Sequence, residues 1–139
     1  MWRCPNCRRQ FANRNQSHAC GRYKLASHFE GKPKSVRAIF EKLLAIAKKN
    51  GVVTVLPEKT RVAFHVRMSF AAIVVRRNWV DGHVVLARRL ENPRFRRIET
   101  FSPRNHLHAF RFQNVEEIDD EVTAWFAEAY RVGEQRHLL

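Results

Sequence analysis

The chain has 139 residues, of which 45% are hydrophobic and 11% aromatic, and it carries a formal net charge of +13. This length allows one ordinary core plus a small appendage, and the apolar content excludes a disordered chain. The longest mostly apolar run, residues 68–75, is far shorter than the roughly 20 residues that a membrane-spanning helix needs. The N-terminal MWRCPNC lacks the apolar core of a signal peptide. We therefore expect a cytoplasmic protein without a membrane partner.

The positive charge is unevenly distributed along the chain. Residues 34–113 carry 17 Lys and Arg against five acidic residues, whereas residues 114–139 carry two against seven. A strongly positive field attracts polyanions, and nucleic acid is the commonest of these in the cytoplasm. The alternative is a solvated basic surface with no dedicated partner.

A cysteine-bearing segment comes first along the chain, in a predicted zinc-knuckle-like module of residues 1–30. Three cysteines within 20 residues are an odd number, which in a reducing compartment favours metal binding over disulfides. A redox site and three unrelated thiols are the alternatives. Residues 1–24 contain no Asp or Glu that could act as a catalytic base, so we expect a structural Zn²⁺. Its predicted ligands are Cys4, Cys7, His18 and Cys20.

The fourth zinc ligand is the weakest part of this pattern. The His18-Ala19-Cys20 spacing is shorter than the usual spacing between the second pair of zinc ligands. His28 is therefore the alternative to His18 as the fourth ligand.

Residues 31–139 are predicted to form the main domain. Its first element is an amphipathic helix that Ser35 caps and Gly51 ends, with apolar residues at helical spacing at Val36, Ile39, Phe40, Leu43, Leu44 and Ala47. Alternating or apolar segments then predict strands, with Asp81-Gly82 as a hairpin turn, at residues 52–56, 61–68, 70–77, 83–90 and 106–112.

A second helix closes the predicted domain. Asn114 and Glu117 have the spacing of a capping box, and the apolar face that follows extends through Ala129 and ends before Gly133. The order of a helix, four or five mostly antiparallel strands and a helix predicts an α+β domain whose two helices cover one face of the sheet.

The segment between the last two predicted strands, residues 88–105, combines arginines with Phe95 and Phe101. Arginines pair with phosphates, and aromatic rings offer stacking platforms for bases. The alternative is that the two phenylalanines fill the core and the arginines are solvated. Together with arginines of the first module, the predicted nucleic-acid-binding residues are Arg8, Arg9, Arg14, Arg88, Arg89, Arg94, Arg96, Arg97 and Arg104.

Histidines on three alternating segments form a second candidate site. If they converge on the sheet face away from the core, they line a pocket for an anion or a metabolite. The alternative is that each is a surface or hydrogen-bonded histidine. The candidate pocket residues are His65, Arg67, His83, His106 and His108. The sequence contains no P-loop and no nucleophile elbow, and we assign no catalytic residue.

Five distinctive blocks occur in order along residues 2–137: CPNC…F…NQSHACG, TRVAFHVRMSFAAIVVRR, DGHVVLARRL, SPRNHLHAFRF and IDDEVTAWFAEAY. Together they resemble the DUF5655 family, a bacterial group of unknown function. The resemblance implies a small α+β domain, often with a cysteine-bearing N-terminus. It carries over no catalytic residue.

These observations predict a zinc-stabilised binding module rather than an enzyme, with nucleic acid as its partner. The alternative is a metabolite- or anion-binding domain that uses a face of the sheet lined by His and Arg, with or without an unrecognised enzymatic activity. A third interpretation is a protein-interaction adaptor that docks through its acidic final helix.

Overall fold

A computed structural model of the chain describes residues 1–5, 8–16 and 23–135. This part of the chain begins with a short hairpin and continues with a helix, a sheet and a second helix. None of its helices is long and apolar enough to cross a membrane. The elements are β1 (Trp2–Arg3), β2 (Gln10–Phe11), α1 (Lys34–Lys48), β3 (Thr54–Pro57), β4 (Val62–His65), β5 (Ser69–Val75), β6 (Val80–Leu86), β7 (Arg97–Ser102), β8 (Asn105–Phe112) and α2 (Asp120–Gly133).

The first helix, α1, forms where its apolar spacing predicts it. Pro33 rather than Ser35 is the N-cap, because proline already holds a backbone angle suited to helix entry and lacks the N–H that would need a partner. At the other end the Asn50 side chain donates to the carbonyls of Ile46 and Ala47, both at 3.2 Å. Gly51 follows with a positive φ of 144°, which glycine adopts without steric cost.

The second helix, α2, begins later than the capping pattern predicts. Glu117 does accept a hydrogen bond from the backbone N–H of Asn114 at 2.9 Å, but the box opens only a short 3-10 turn at Val115–Glu117. The cap of α2 is Asp119, whose carboxylate accepts from the Val122 N–H at 3.1 Å. Two cap signals lie close together in this sequence, and the second one starts the helix.

The main sheet is antiparallel throughout, with the strand order β3-β4-β5-β6-β8-β7. Both helices pack on one face, where the α1 ring of Phe40 lies 5.8 Å from Phe64 and the α2 ring of Phe126 lies 6.1 Å from Phe110. The predicted α+β class is thus confirmed. The other face carries no helix of the described chain, and we call it the open face.

Six strands form this sheet in the described chain, rather than the predicted four or five. The additional strand is β7, which lies inside the segment predicted to be a long basic loop. Its residues are mostly exposed because β7 is the edge strand. Charged edge strands of this kind carry little hydrophobic signal.

The pair Asp81-Gly82 lies within β6 and does not form the predicted turn. The chain reverses earlier, where the Arg76 N–H donates to the Trp79 carbonyl at 3.0 Å. A Cβ on Gly82 would lie 2.8 Å from the Ala72 oxygen and 2.9 Å from the Phe110 ring. The glycine therefore permits close packing inside the sheet, which is a common reason for glycine in a strand.

The N-terminal hairpin of β1 and β2 packs on the open face near the end of β4. Phe11 is buried, and its ring meets the ring of His65 edge-on at 5.1 Å. The Ala12 N–H donates to the Arg67 carbonyl at 3.1 Å. These contacts cover the end of the open face that β4 forms.

Candidate anion-binding site

A row of small side chains crosses the open face at the level of His83. His83 pairs with Ala72 on β5 and with Ala109 on β8. Ala109 in turn pairs with Arg97 on the edge strand β7. Directly paired residues point to the same face of a sheet. Because alanine side chains end at Cβ, the residues on either side of His83 are short. Ala72 and Ala109 therefore form the floor of a depression beside the His83 imidazole.

This depression is a cavity of about 460 Å³. Its lining includes a single carboxylate, Asp81, and five arginines that lie on β7 and β8 and in the segments next to β4, β5 and β7. The arginines are Arg61, Arg76, Arg96, Arg97 and Arg111. The lining therefore carries a net positive charge, and the size of the cavity falls in the range of roughly 300–1,000 Å³ that is typical of small-molecule sites.

Asp81 organises one end of the cavity. Its carboxylate accepts from the Arg111 Nε at 2.7 Å, the Arg76 Nε at 3.3 Å and the Trp79 Nε1 at 3.2 Å. The Arg111 guanidinium also lies over the Trp79 ring, 4.4 Å from its centroid. Burial alone would raise the pKa of Asp81, but the hydrogen bonds from Arg111, Trp79 and Arg76 bring this pKa below its ordinary value. The carboxylate thus stays ionised and holds two guanidinium groups in place.

His83 occupies the floor of the cavity as a neutral imidazole. Burial lowers the pKa of His83 to about 4, and the positive charges of Arg61 and Arg97 lower it further, against a smaller opposing effect of Glu99. A neutral imidazole offers one hydrogen-bond donor and one acceptor.

The other predicted pocket residues do not join His83. His65 lies on the open face but is covered by the hairpin, and its Nε2 is 3.2 Å from the Gln10 carbonyl oxygen. Arg67 follows β4 and is exposed. His106 and His108 are paired with Leu86 and Val84, so they point to the helix-covered face.

These two histidines of β8 are held by hydrogen bonds. His108 Nε2 accepts from the Leu90 N–H at 2.9 Å, which places its proton on Nδ1, 2.8 Å from the His106 carbonyl oxygen. The His106 ring lies between the Thr100 hydroxyl at 2.9 Å and the Pro103 carbonyl at 3.0 Å. The residues of the predicted pocket therefore lie on two different faces of the sheet. His106 and His108 are hydrogen-bonded histidines, as the alternative interpretation predicts.

The arginines predicted to bind nucleic acid are also divided. Arg96 and Arg97 line the cavity, whereas Arg88 and Arg94 pair with carboxylates of α2 and its cap. Arg88 makes two hydrogen bonds to Glu128, at 3.0 and 3.1 Å. Arg94 bonds Asp119 at 3.0 Å, and its guanidinium lies 5.2 Å from the Trp125 ring centroid.

The remaining residues of this basic segment lie apart from the cavity. Arg89 donates to the Thr100 hydroxyl at 3.2 Å, and Arg104 is exposed in the turn after β7. Phe95 is buried, and the centroid of its ring lies 4.3 Å from that of Trp125. It therefore fills the core, as the alternative interpretation of this segment predicts. Phe101 remains exposed.

The predicted zinc ligands Cys7, His18 and Cys20 lie outside the described residues. Cys4 is described and is only 3% exposed, in a tight turn where its N–H donates to the Arg9 carbonyl at 2.9 Å. His28 uses its Nε2 toward the Glu58 carbonyl at 2.8 Å. No group of three or more potential metal ligands occurs among the residues that are described. Of the predicted basic residues near this turn, Arg8 and Arg14 are exposed and Arg9 is half-buried.

Sequence reasoning missed three arginines of the cavity: Arg61, Arg76 and Arg111. They are far apart along the chain, and strand pairing brings their segments together. Val74, two residues before Arg76, and Arg111 both pair with Asp81, from opposite sides. Alternation along β8 places Arg111 on the face of Ala109, two residues away. The face of Arg111 can be predicted from this alternation, but the strand register that brings Arg111 close to Arg61 and Arg76 cannot.

Comparison with known proteins gives one match. The family model described as Domain of unknown function (DUF5655) matches residues 25–133, which is most of the chain. No curated protein and no solved structure matches the chain. The matched segment begins at Leu25, so it contains the cavity and both helices but not the cysteine-bearing segment. The resemblance read from the sequence extends further, from about residue 2 to residue 137.

The neutral state of His83 predicts how stability depends on pH. In the unfolded chain a histidine gains its proton near pH 6.5, so between about pH 4 and 6.5 the unfolded state binds more protons than the folded state. The free energy of unfolding should therefore fall as pH is lowered through this window. Between pH 7 and 4.5 we expect the wild type to lose about 2 kcal/mol more than His83→Gln, as measured by urea denaturation. Equal losses in the two proteins would contradict the assignment.

Proposed function

The chain belongs to the DUF5655 family, and we propose that it binds a small ligand carrying a phosphate group in the arginine-lined cavity of its open face. The observation that carries this proposal is the convergence of five arginines, from separate parts of the sheet, on a depression with an alanine floor. Arginines that serve only to keep a surface solvated would not need to converge on such a depression.

The charge balance of the cavity favours an anion. Five guanidinium groups and one carboxylate line the cavity, and that carboxylate is already engaged by Arg76 and Arg111. Glu58 and Glu99 pair with Arg61 and Arg97 from outside the lining, so the arginines still exceed the carboxylates that pair with them. Guanidinium groups present their N–H donors in a planar fork that matches phosphate oxygens, and such charge-assisted bonds are stronger than neutral ones. The net charge of +13 on the whole chain adds a field that draws anions toward the site.

The neutral His83 complements these arginines. An additional cation on the floor would be repelled by Arg61 and Arg97, and the lowered pKa keeps the imidazole uncharged at neutral pH. It can donate one hydrogen bond to a phosphate oxygen from below while the arginines bind from the rim.

Calorimetric titration with pyrophosphate tests the proposal. We expect saturable binding that falls about 30-fold or more in the double variant Arg96→Ala/Arg97→Ala, since a hydrogen bond to a charged group contributes about 1.5–3 kcal/mol. The matched control is Arg88→Ala/Arg89→Ala, which removes the same charge from arginines that contact Glu128 and Thr100 outside the cavity.

The two double variants separate a site from a general field. If both lose affinity equally, the binding is only an effect of net charge, and the cavity is not the site. If the wild type shows no saturable binding at low salt, the proposal fails entirely.

Single-stranded nucleic acid is the second candidate ligand, and one observation favours it. Phe101 is 66% exposed on the edge strand, between Arg97 and Arg104. An exposed aromatic ring among arginines is the arrangement on which unpaired bases stack.

A mobility-shift assay on mixed single-stranded DNA and RNA tests this second candidate. We expect a shift at about 50 mM salt that is lost at about 500 mM, because binding through phosphates releases counterions. Phe101→Ala should weaken the shift, whereas the distant exposed Val52→Ala should not. The absence of a shift at low salt removes this candidate.

We further propose a structural Zn²⁺ held by Cys4, Cys7 and Cys20, with His18 or His28 as the fourth ligand. Two features of the described residues support it: the burial of the Cys4 thiol, and a turn in which the Arg8 N–H donates to the Cys4 carbonyl at 2.8 Å. The hydrogen bond from His28 to Glu58 favours His18 over His28.

Metal analysis of the folded, reduced protein tests the zinc proposal. We expect about one Zn²⁺ per chain, and much less in Cys4→Ser. Chelation should expose Phe11 and Trp2, whose rings lie 6.0 Å apart, and should therefore shift the tryptophan fluorescence. A folded and reduced sample that contains no zinc would exclude this proposal.

A further inference from the structure

The five arginines of the cavity fall into two groups that differ in whether a carboxylate lines the cavity beside them. Arg76 and Arg111 share Asp81, which accepts four hydrogen bonds in all, two of them from Arg111 at 2.7 and 3.3 Å. The Asp81 side chain is 22% exposed and that of Arg111 29%, so this pair is partly shielded from water. We call this part of the cavity the Asp81 end.

The opposite group lies beside His83 on the β4 and β7 sides of the cavity. Arg97 pairs with Glu99 at 2.8 Å, but both side chains are about half exposed, and exposed pairs of this kind are weak. Arg61 pairs with Glu58 at 2.7 Å, and the Glu58 side chain is only 18% exposed, so Arg61 is neutralised about as far as Arg111. The side chain of Arg96 has no hydrogen-bond or ion-pair partner among the described residues. We call this part the His83 end, and Arg96 and the exposed Arg97 supply the positive charge that is available to a ligand there.

The two ends also differ in shape. At the Asp81 end the flat guanidinium of Arg111 lies over the flat indole of Trp79 at 4.4 Å. Planar guanidinium and aromatic groups stack well on other planar rings. A second phosphate there would lie close to the ionised Asp81, whereas an uncharged ring would not be repelled.

From this division we infer that the ligand has two parts: one phosphate at the His83 end and an uncharged planar ring at the Asp81 end, as in a nucleoside monophosphate. This inference rests on the proposed function. The volume of about 460 Å³ supports it, since a free phosphate ion would leave most of the cavity empty.

Asp81 is then a positioning and selectivity residue. It aligns Arg111 against Trp79, and its negative charge excludes a second anionic group from the ring end. Removing this charge should raise the general attraction for anions but should remove the discrimination between ligands with one and with two phosphates.

Calorimetry with three probes tests the inference: inorganic phosphate, adenosine 5′-monophosphate and adenosine 3′,5′-bisphosphate. In the wild type we expect the monophosphate to bind at least 10-fold more tightly than inorganic phosphate. In Asp81→Asn we expect the affinity for the bisphosphate relative to the monophosphate to rise about 10-fold. The matched control is Glu91→Gln, which makes the same charge change at an exposed residue paired with Arg89 and should leave this ratio unchanged.

The possible results distinguish a failure of this inference from a failure of the proposed function. If inorganic phosphate binds as tightly as the monophosphate, the two-part ligand is excluded while anion binding in the cavity stands. An equal shift of the ratio in Asp81→Asn and Glu91→Gln also overturns the inference. If none of the probes binds, and pyrophosphate does not bind either, both the inference and the proposed function fail. The comparison of probes in the wild type remains decisive even if Asp81→Asn is poorly folded.

Discussion

The pairing of β6 with β8 is the constraint on which the rest of the molecule depends. Its register opposes Gly82 to Phe110 and His83 to Ala109. Because strand side chains alternate between faces, this register fills one face with Phe110 and Phe112 and places His83 and Arg111 on the other. A slip of one residue would exchange the two faces. The absence of a Cβ at Gly82 favours the observed register, since the Phe110 ring occupies that space.

The sequence was sufficient for the elements whose patterns are local. The apolar spacing of α1 predicts both its extent and its buried face, and the alternation from Val62 and from Leu107 predicts β4 and β8. Patterns with two meanings misled the prediction: Asp81-Gly82 is a common turn pair, yet here Gly82 makes room for an aromatic ring inside a strand. The edge strand β7 escaped notice because an exposed strand needs little hydrophobic alternation.

The site was less accessible to sequence reasoning because it depends on register and on ion pairing. The histidines at 83 and 106 both stand on strands, but only the register shows that they point to opposite faces. The arginines of residues 88–105 form one run in the sequence. In the fold, α2 and its cap divide them, since Glu128 binds Arg88 and Asp119 binds Arg94. The acidic C-terminal segment thus uses part of its charge to neutralise arginines on the helix side.

This neutralisation leaves the arginines of the open face as a second group of positive charges, only partly paired with carboxylates, and the hairpin covers one end of that face. Phe11 covers His65 at the end of β4, whereas His83 and its alanine neighbours line the cavity, with Ala72 and Ala109 only 3% and 5% exposed at its floor. Helices on one face and a hairpin at one end of the other leave a single broad concave area on the described part of the sheet. Its arginines cannot be buried without a partner, because an unpaired charge in an apolar environment is costly. They therefore line a surface that remains open to water and to anions, which is the condition that a reversible ligand site requires.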